Sequence, residues 1–372
     1  MKSSEARIIK RLALIMLVPV VALVVACSQP ASISQKRTSD RSGATAAMVR
    51  AQAGFVYTAD ERGNSISVID LATGEVKTIA TRIAPHNLQV FRDGRLLLAV
   101  GEVKKKDDKV GPAKAAMAGT DNGRLLLFHI RGMVLDRSLE ISLGHDPAHV
   151  LVDANERFAY VTNSTDNDLA IVDLPQKRVV GTIATGKMPH GMRMSPDGSA
   201  IYIANVNDYN ISVIDVGQAK DVARIAVGKA PVQVGFTPNG RFVYVSLRDE
   251  NSVAVIDTAQ RRKIVSIPVG RSPIQVFLTP DGRFVYVANQ GTQANPDNMV
   301  SVIDTATNSV VATITTGRSA HGVVVSDDRT RAFITNIEDG TVSVIDVATK
   351  KVIVTIKVGK GPNGITFRSA LR

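Results

Sequence analysis

The chain has 372 residues, a formal net charge of +11, one cysteine and no tryptophan. A single cysteine excludes an internal disulfide framework and a cysteine-rich zinc site. Aromatic residues make up only 4% of the sequence, which argues against a stacked quinone cofactor and against stacking on nucleic-acid bases. The positive charge favours anionic partners, but it specifies neither a fold nor a ligand.

Residues 1–26 have the composition of an export signal. A basic start precedes an apolar run at 12–25, which is shorter than a typical membrane span, and the run leads to the only cysteine, Cys27. This order resembles the signal of bacterial lipoproteins, which implies cleavage before Cys27 and lipidation of its thiol. Ser28 in place of an aspartate then implies an outer-membrane anchor with the domain facing the periplasm. An ordinary signal peptide followed by an incidental cysteine is the alternative.

Residues 27–52 are rich in Ser, Ala, Gln, Arg and Lys and show no hydrophobic periodicity. This composition predicts a flexible tether. A chain of this length has a root-mean-square reach of about 25–30 Å, enough to hold a domain clear of a membrane. The folded domain is therefore expected at 53–372.

The rest of the chain repeats one pattern at intervals of about 42 residues. In the copy at 158–173, two short apolar, β-branched runs flank a polar turn, and the copy closes on an aspartate. Turn signals recur about every ten residues, so each copy accommodates four strands. The closing positions are Asp70, His129 in a degenerate second copy, Asp173, Asp215, Asp257, Asp304 and Asp346. Seven copies predict an all-β fold, a single seven-bladed β-propeller with four-stranded antiparallel blades.

The two ends of the repeat array complement each other. The first copy begins at Phe55 with the second strand of a blade, and it lacks a first strand. The segment 361–367 at the other end has the pattern of a first strand with no blade after it. We therefore expect the C-terminal strand to join the first blade and close the ring, which removes the open strand edges that an array would expose.

Several repeats carry a short motif that ends the second strand. It reads YVTN at 160–163, YIAN at 202–205 and YVAN at 286–289. Together with SPDG-type turns and VID endings, this motif resembles the YVTN-repeat β-propeller family over about residues 53–372. Members and relatives include bacterial surface and periplasmic proteins, nucleic-acid binders, amine dehydrogenase subunits and haem-d1-type propellers, so the resemblance implies the fold and leaves the activity open. We interpret the motif Asn and the closing Asp residues as structural, because such side chains satisfy backbone groups in turns.

One position at the corner between successive blades is basic in most repeats. It is occupied by Lys187, Lys229, Arg271, Arg318 and Lys360, with His145 in the third blade. Propeller geometry places these residues around one end of the central channel, where a ring of like charge would attract anions. The alternative is a solvated turn in which basic residues bind nothing specific.

Four of the six histidines occur where the innermost strands begin. His86, His190 and His321 share one register, in which the closing strand carries Asn363, and His149 lies one position further on. Imidazoles that converge on a channel can ligate a metal or hold an anionic cofactor. The alternative is that they are part of a wet, polar channel mouth with no ligand.

Two insertions interrupt the period, at 101–123 in the second blade and at 290–298 in the sixth. Both fall between the second and third strands, on the same face as the corner residues, and the larger is rich in lysine. Insertions that gather on one face often mark the binding face of a repeat protein.

These patterns predict a lipid-anchored, monomeric propeller that acts as a binding module for an anionic ligand at the channel mouth. No catalytic residue and no cofactor is required by the sequence, which contains no C-x-x-C-H, P-loop or G-x-S-x-G motif. One alternative is a cofactor- or metal-handling protein or enzyme, haem-d1-like or associated with an oxidoreductase, that uses the channel. Another is sequence-tolerant nucleic-acid binding, which the shortage of aromatic residues disfavours.

Overall fold

A computed structural model describes residues 54–103 and 123–370. The predicted signal peptide, the lipidation site at Cys27, the tether at 27–52 and the Lys-rich part of the first insertion lie outside these residues. Within them, no helix is long and apolar enough to cross a membrane. The regular secondary structure of the described residues is almost entirely β-strand, arranged in seven four-stranded sheets.

The first three blades contain strands β1 to β11 and the last strand, β28. Blade 1 consists of β28 (Pro362–Ser369), β1 (Gly54–Asp60), β2 (Ser65–Asp70) and β3 (Val76–Ala80). Blade 2 consists of β4 (Ile83–Val90), β5 (Leu96–Val103), β6 (Arg124–Arg131) and β7 (Val134–Ser142). Blade 3 consists of β8 (Pro147–Val152), β9 (Phe158–Asn163), β10 (Asp168–Asp173) and β11 (Arg178–Ala184).

The remaining blades follow the chain in the same order. Blade 4 consists of β12 (Pro189–Met194), β13 (Ala200–Asn205), β14 (Asn210–Asp215) and β15 (Lys220–Ala226), and blade 5 of β16 (Pro231–Phe236), β17 (Phe242–Leu247), β18 (Ser252–Asp257) and β19 (Arg262–Pro268). Blade 6 consists of β20 (Pro273–Leu278), β21 (Phe284–Gly291), β22 (Pro296–Asp304) and β23 (Ser309–Thr315), and blade 7 of β24 (Ala320–Val325), β25 (Arg331–Asn336), β26 (Thr341–Asp346) and β27 (Lys351–Lys357). Among residues 54–103 and 123–370, two short 3-10 helices, Glu61–Gly63 and Arg248–Glu250, occur in loops between the second and third strands of their blades.

The predicted closure of the ring is confirmed. Strand β28 pairs antiparallel with β1, so the C-terminus supplies the first strand of blade 1. The first strand of each blade also contacts the first strand of the next, all the way round the ring. These seven strands therefore surround the channel, and every blade has a neighbour on both sides.

The burial of the strands follows from the sequence pattern. In β13 five of six residues are buried, whereas in β15 exposed and partly buried residues alternate. The central strands are apolar on both faces because each face packs against a neighbouring blade. The motif tyrosines fill these interfaces, and Tyr244 and Tyr286 are 1% and 0% exposed. The outermost strand has one face in solvent, which explains its alternating pattern.

The motif Asn and the closing Asp residues bond to turns and neighbouring strands. In blade 4 the Asn205 amide donates to Asn210 Oδ1 at 2.8 Å and to Ser212 Oγ at 2.9 Å. Asp215 Oδ1 accepts the backbone N–H of Gln218 at 2.8 Å. The side chains are therefore used by the fold itself, in agreement with their structural interpretation.

The insertion in blade 6 lies between the second and third strands, as the sequence predicts. Strand β21 continues to Gly291 and strand β22 begins at Pro296, so the insertion lengthens the hairpin that they form. Only four residues connect the two strands. Gly291 has φ of +68° and lies where an added Cβ would clash with the backbone of Pro296, so the tight turn requires glycine here.

Candidate functional site

The candidate site is the upper mouth, defined as the end of the channel on the face that carries the corners between blades. The innermost strands begin here, and loops that link second to third strands surround them. The mouth encloses a pocket of about 300 Å³. Its polar lining comes from Glu61, Arg62, His86, His190, Arg248, Gln290, His321 and Asn363.

A hydroxyl group fixes the two adjacent strands β8 and β12 relative to each other. Thr162 Oγ1 accepts the backbone N–H of His149 at 3.1 Å and donates to the backbone carbonyl of His190 at 2.8 Å. Thr162 is the Thr of the YVTN motif in blade 3. The motif therefore fixes the positions of two histidine-bearing strands relative to each other along the channel axis.

Two histidine rings from blades 2 and 4 meet in the upper mouth. The Nε2 atoms of His86 and His190 are 3.2 Å apart, and the ring planes are almost perpendicular. Blade 3 lies between these blades, and at the same register it carries Ala148, whose methyl group leaves room for the rings. The sequence register places both residues at the mouth, and this small side chain allows them to touch.

The contacts of the other ring nitrogens bear on the tautomers. His190 Nδ1 lies 3.3 Å from the carbonyl oxygen of Val232, which only accepts, so Nδ1 carries the proton. His86 Nδ1 lies between an acceptor, Glu61 Oε2 at 3.5 Å, and a donor, Asn363 Nδ2 at 3.3 Å. With the His86 proton on Nδ1, both Nε2 atoms offer lone pairs that can hold a cation; with it on Nε2, that N–H donates to His190 Nε2.

His149 is the third member of this cluster. Its ring lies 5.0 Å from that of His190 and 6.1 Å from that of His86, centroid to centroid. One nitrogen of each of the three rings lies within 4.8 Å of the others. Two nitrogens bound to a tetrahedral Zn²⁺ at about 2.0–2.1 Å would be about 3.3 Å apart, close to the separation of His86 and His190. The three rings form a site with the composition and approximate spacing of a metal centre.

Burial and charge keep two of these rings neutral. Burial first, and then the nearby His86, lowers the pKa of His190 to about 3. Burial first, and then His190, lowers the pKa of His149 well below its ordinary value. Neutral imidazole is the form that binds metals, so both rings are ready to ligate.

The carboxylate of Glu61 contacts the Nδ1 side of the His86 ring, opposite the Nε2 that faces His190. Burial alone would raise the pKa of Glu61, but the hydrogen bonds and charge of His86 and the amide of Asn363 bring it well below the ordinary value. Asn363 Nδ2 donates to Glu61 Oε2 at 2.6 Å. The pKa of His86 is lowered by burial and raised more strongly by Glu61, with a net rise. This carboxylate–histidine arrangement is the usual outer shell of a metal ligand.

His321 lies apart from the cluster, although it shares the register of His86 and His190. Its ring is buried and lines the same pocket, and Nδ1 has no hydrogen-bond partner among the described residues. Burial first, and then His86, lowers its pKa to about 4. The predicted set of His86, His190 and His321 is therefore only partly brought together, and His149 takes the third position.

The predicted basic corners surround the mouth, but acidic side chains accompany five of them. A carboxylate from the loop of the same blade accepts the backbone N–H of each basic residue. The pairs are His145 with Asp166, Lys187 with Asp208, Lys229 with Glu250, Arg271 with Asp297, and Arg318 with Asp339. At Lys360 the equivalent loop position is Gly63, which has no side chain to offer.

The acidic residues compensate the positive charge at these corners. His145, Arg271 and Arg318 also form side-chain ion pairs with their carboxylates, at 2.9, 3.4 and 2.7 Å. Lys187, Lys229 and Lys360 form no ion pair within the described residues. The sequence indicates these acidic partners, because an acidic residue follows most of the basic corner residues at a fixed distance of 21 residues.

Two family models match separate parts of the chain. A seven-bladed β-propeller lactonase family matches residues 133–236, and the cytochrome D1 heme domain matches residues 245–364. Each match covers less than half of the chain. No curated protein sequence shows a significant match.

Solved structures share the architecture at low sequence identity. A periplasmic gluconolactonase from Pseudomonas aeruginosa has a TM-score of 0.67 at 19% identity, covering 86% of this chain and 99% of that one. Hydrazine synthase from Kuenenia stuttgartiensis has a TM-score of 0.64 at 18% identity, covering 77% and 95%. A protein of unknown function from Desulfotomaculum acetoxidans has a TM-score of 0.70 at 14% identity, covering 85% and 99%. These matches and the seven sheets identify the chain as a β-propeller with partial similarity to the lactonase and cytochrome D1 families.

Proposed function

We propose that the protein binds a transition-metal ion at the upper mouth through His86, His149 and His190. The observation that carries this proposal is the pair of Nε2 atoms 3.2 Å apart, with the His149 ring beside them. When both Nε2 atoms are unprotonated, their lone pairs repel each other unless a cation lies between them. A proton on one Nε2 satisfies His86 and His190 alone, whereas a metal ion also takes His149 as a ligand.

The ligand type suggests which metals fit. Imidazole suits Zn²⁺, Cu²⁺, Ni²⁺ and iron, and three protein ligands with a free position are typical of catalytic rather than structural zinc sites. The free position would face the pocket of about 300 Å³, which is lined by His86 and His190. The metal would thus bind a small molecule together with the protein.

Haem, which the cytochrome D1 similarity suggests, fits this site poorly. The pocket of about 300 Å³ is at the small end of the range for small-molecule sites. The rings of His86 and His190 also touch each other, which leaves no space for a macrocycle between them. A single metal ion with a compact ligand fits the observed dimensions better.

Metal titration of the purified, metal-stripped protein tests the proposal. We expect one Co²⁺ or Zn²⁺ per chain, with a visible absorption spectrum for bound Co²⁺ that reports three nitrogen ligands. His190→Gln should weaken binding at least a hundredfold, because a ligand and its support are both lost. His321→Gln is the matched control, since it removes a buried histidine of the same pocket that lies outside the cluster.

Two results would contradict the proposal. One is the absence of stoichiometric binding by the parent protein. The other is equal loss of affinity in His190→Gln and His321→Gln, which would show that the cluster has no special role.

A second candidate function is lactone hydrolysis at the same mouth. The lactonase-family match at 133–236 includes both His149 and His190, and a periplasmic gluconolactonase shares the fold. Hydrolysis adds water across the ester bond of a lactone and releases a hydroxy acid, which acidifies an unbuffered solution. Acid release from gluconolactone above the spontaneous rate, lost in His190→Gln, would support this function, and an unchanged rate with the parent protein would exclude this substrate.

The cellular setting remains part of the proposal. The order of basic residues, apolar run and Cys27 supports export and lipid anchoring at the outer membrane. Cys27→Ala should leave the protein unprocessed or release it from the membrane fraction. Unchanged fractionation together with an unchanged mature mass would contradict this assignment.

A further inference from the structure

The opposite end of the channel contains a second cavity, which we call the lower mouth. It has a volume of about 370 Å³ and is lined by the far ends of the innermost strands. Its apolar lining includes Leu88, Leu151, Phe277, Val324 and Ile365. Its polar lining residues are Asn87, Gln89, Arg193, Gln275, Asp327 and Thr366.

Arg193 is the charged group within this cavity. Its guanidinium stacks on the ring of Phe277 at 5.5 Å from the centroid. Its one hydrogen bond in the described part of the chain joins NH1 to the neighbouring carbonyl of Met192 at 3.2 Å. A guanidinium has five N–H donors, and the remaining four have no partner among the described residues.

No carboxylate neutralises this charge in the described structure. Asp327 lies at the rim of the same cavity, but it is exposed and forms no ion pair with Arg193. Burial alone lowers the pKa of Arg193 to about 10, so the group remains charged at neutral pH. The guanidinium is partly exposed to the cavity and has no carboxylate partner among the described residues, so an anion that enters the cavity can pair with it.

Gln275 adds a second group that lacks a partner. It is 5% exposed and lines the cavity. Its Oε1 accepts a hydrogen bond from Gln233 at 3.0 Å, while its amide N–H₂ has no acceptor among the described residues. The free groups of Arg193 and Gln275 are thus all donors, and what they lack is an acceptor.

We propose that the lower mouth is a second binding site, which takes a small organic carboxylate. Arg193 holds the carboxylate through paired N–H donors, a geometry that its planar fork matches. The Gln275 amide donates to the same group, and the apolar body of the ligand contacts Phe277 and the aliphatic wall. This site is separate from the histidine cluster and does not depend on a metal.

Calorimetric titration with benzoate tests this proposal, with benzamide as a neutral ligand of the same shape. We expect benzoate to bind at one site per chain and benzamide to bind at least tenfold more weakly, because the charge-assisted bonds are lost. Arg193→Met should weaken benzoate binding at least tenfold. Arg193→Lys should bind with intermediate affinity, since it keeps the charge and loses the fork.

Arg283→Met is the matched control for this series. Arg283 also stacks on a phenylalanine, with 4.9 Å from its guanidinium to the Phe284 centroid, but it is exposed outside the cavity. This variant should bind benzoate as the parent does. In the absence of ligand, Arg193→Met should melt close to the parent temperature, because it loses no ion pair and methionine can still pack against Phe277.

Three outcomes would overturn the proposal. They are no binding of benzoate at millimolar concentration, equal affinities for benzoate and benzamide, and unchanged benzoate affinity in both Arg193→Met and Arg193→Lys. A large loss of thermal stability in ligand-free Arg193→Met would also overturn it, since it would show that the fold itself uses the charge.

Discussion

The two mouths of the channel are built on the same seven strands, yet they differ in chemistry. At the upper mouth the strands begin with His86, His190, His321 and Asn363, and acids and bases surround them. At the lower mouth the same strands contribute aliphatic and aromatic residues together with Arg193 and Gln275, and Asp327 lies at the rim. The seven blades have nearly the same backbone. The two mouths therefore differ in the side chains that the innermost strands carry at their two ends.

This contrast distinguishes the residues that the repeated fold requires from the positions that can vary between blades. The repeat requires certain Asn, Asp, Tyr and Gly residues, because each blade needs the same turns and the same interfaces. The channel-facing positions carry no such requirement and vary from blade to blade. The proposed functional groups therefore lie where one blade departs from the others, such as Glu61 and His86 at the upper mouth and Arg193 at the lower mouth.

Removal of the closing strand should abolish both mouths and have the largest effect. Truncation after Gly361 deletes β28, which supplies Asn363 to the upper mouth and Ile365 to the lower mouth. It also exposes strand edges on β1 and on the inner ring. The loss of one inner strand should exceed the whole stability of about 5–15 kcal/mol that is typical of a domain.

Circular dichroism on heating should therefore show no cooperative transition for this truncated protein. Truncation after Ser369, beyond the end of β28, is the control and should melt close to the parent. A protein truncated after Gly361 that melts at the parental temperature would contradict the role of β28.

The upper mouth alone should respond to Glu61→Gln. This change keeps the shape of the side chain but removes the carboxylate that orients and supports His86. Loss of such an outer-shell group costs about 10–100-fold in metal affinity. Benzoate binding at the lower mouth should be unchanged.

Glu338→Gln is the control for this variant, since Glu338 pairs with Arg62 at 2.8 Å on the same face without touching a histidine. Its metal affinity should equal that of the parent. Equal losses in the two variants would mean that general negative charge, not support of His86, sets the affinity.

Asp60→Asn should change the stability of blade 1 in a pH-dependent way. Asp60 occupies the position of the motif Asn in other blades. Burial raises its pKa from 3.8 to about 6, although hydrogen bonds from Ser67, Thr58 and Ser65 lower it in part. Because the folded pKa is above the unfolded value, the contribution of Asp60 to stability is full below pH 3.8 and is lost as pH rises through about 6.

The variant lacks this titration. Its free energy of unfolding should therefore rise relative to that of the parent as pH rises from about 4 to about 8, by up to about 3 kcal/mol. Urea unfolding of both proteins at the two pH values measures the difference. A difference in unfolding free energy, variant minus parent, that stays constant or falls with rising pH would show that Asp60 does not have a raised pKa in the folded protein.

The corner carboxylates should have the smallest effect. Asp339 accepts the backbone N–H of Arg318 at 2.8 Å and also pairs with its side chain at 2.7 Å. Asp339→Asn keeps an acceptor for the N–H and loses only a largely exposed ion pair, worth less than about 1 kcal/mol. Asp339→Ala loses both and should cost about 1 kcal/mol more. Equal melting temperatures for the two variants would show that the backbone cap contributes nothing.

Much of the fold was predictable because its signals are local and repeated. The spacing of closing aspartates gave the number of blades, and the unmatched pattern at 361–367 gave the closure. The position of the blade 6 insertion between the second and third strands was also predictable, but the repeat pattern did not show that both strands lengthen there.

The sites were less predictable because their contacts cross between blades. Alignment placed His86, His190 and His321 in one register, but it carried no information on which rings meet. That depends on the side chain in the intervening blade, here Ala148, and on the approach of the Val232 carbonyl to His190. Arg193 gave no signal, since a single arginine in a strand is unremarkable until its missing partner is seen.

X-ray absorption at the zinc edge tests the three-histidine centre most directly. The zinc-loaded parent should show three imidazole nitrogens at about 2.0–2.1 Å, and His190→Gln should show one fewer. His321→Gln should give the same spectrum as the parent. A shell of oxygen ligands only, or a shell that is identical in the parent and in His190→Gln, would contradict a metal centre built from His86, His149 and His190.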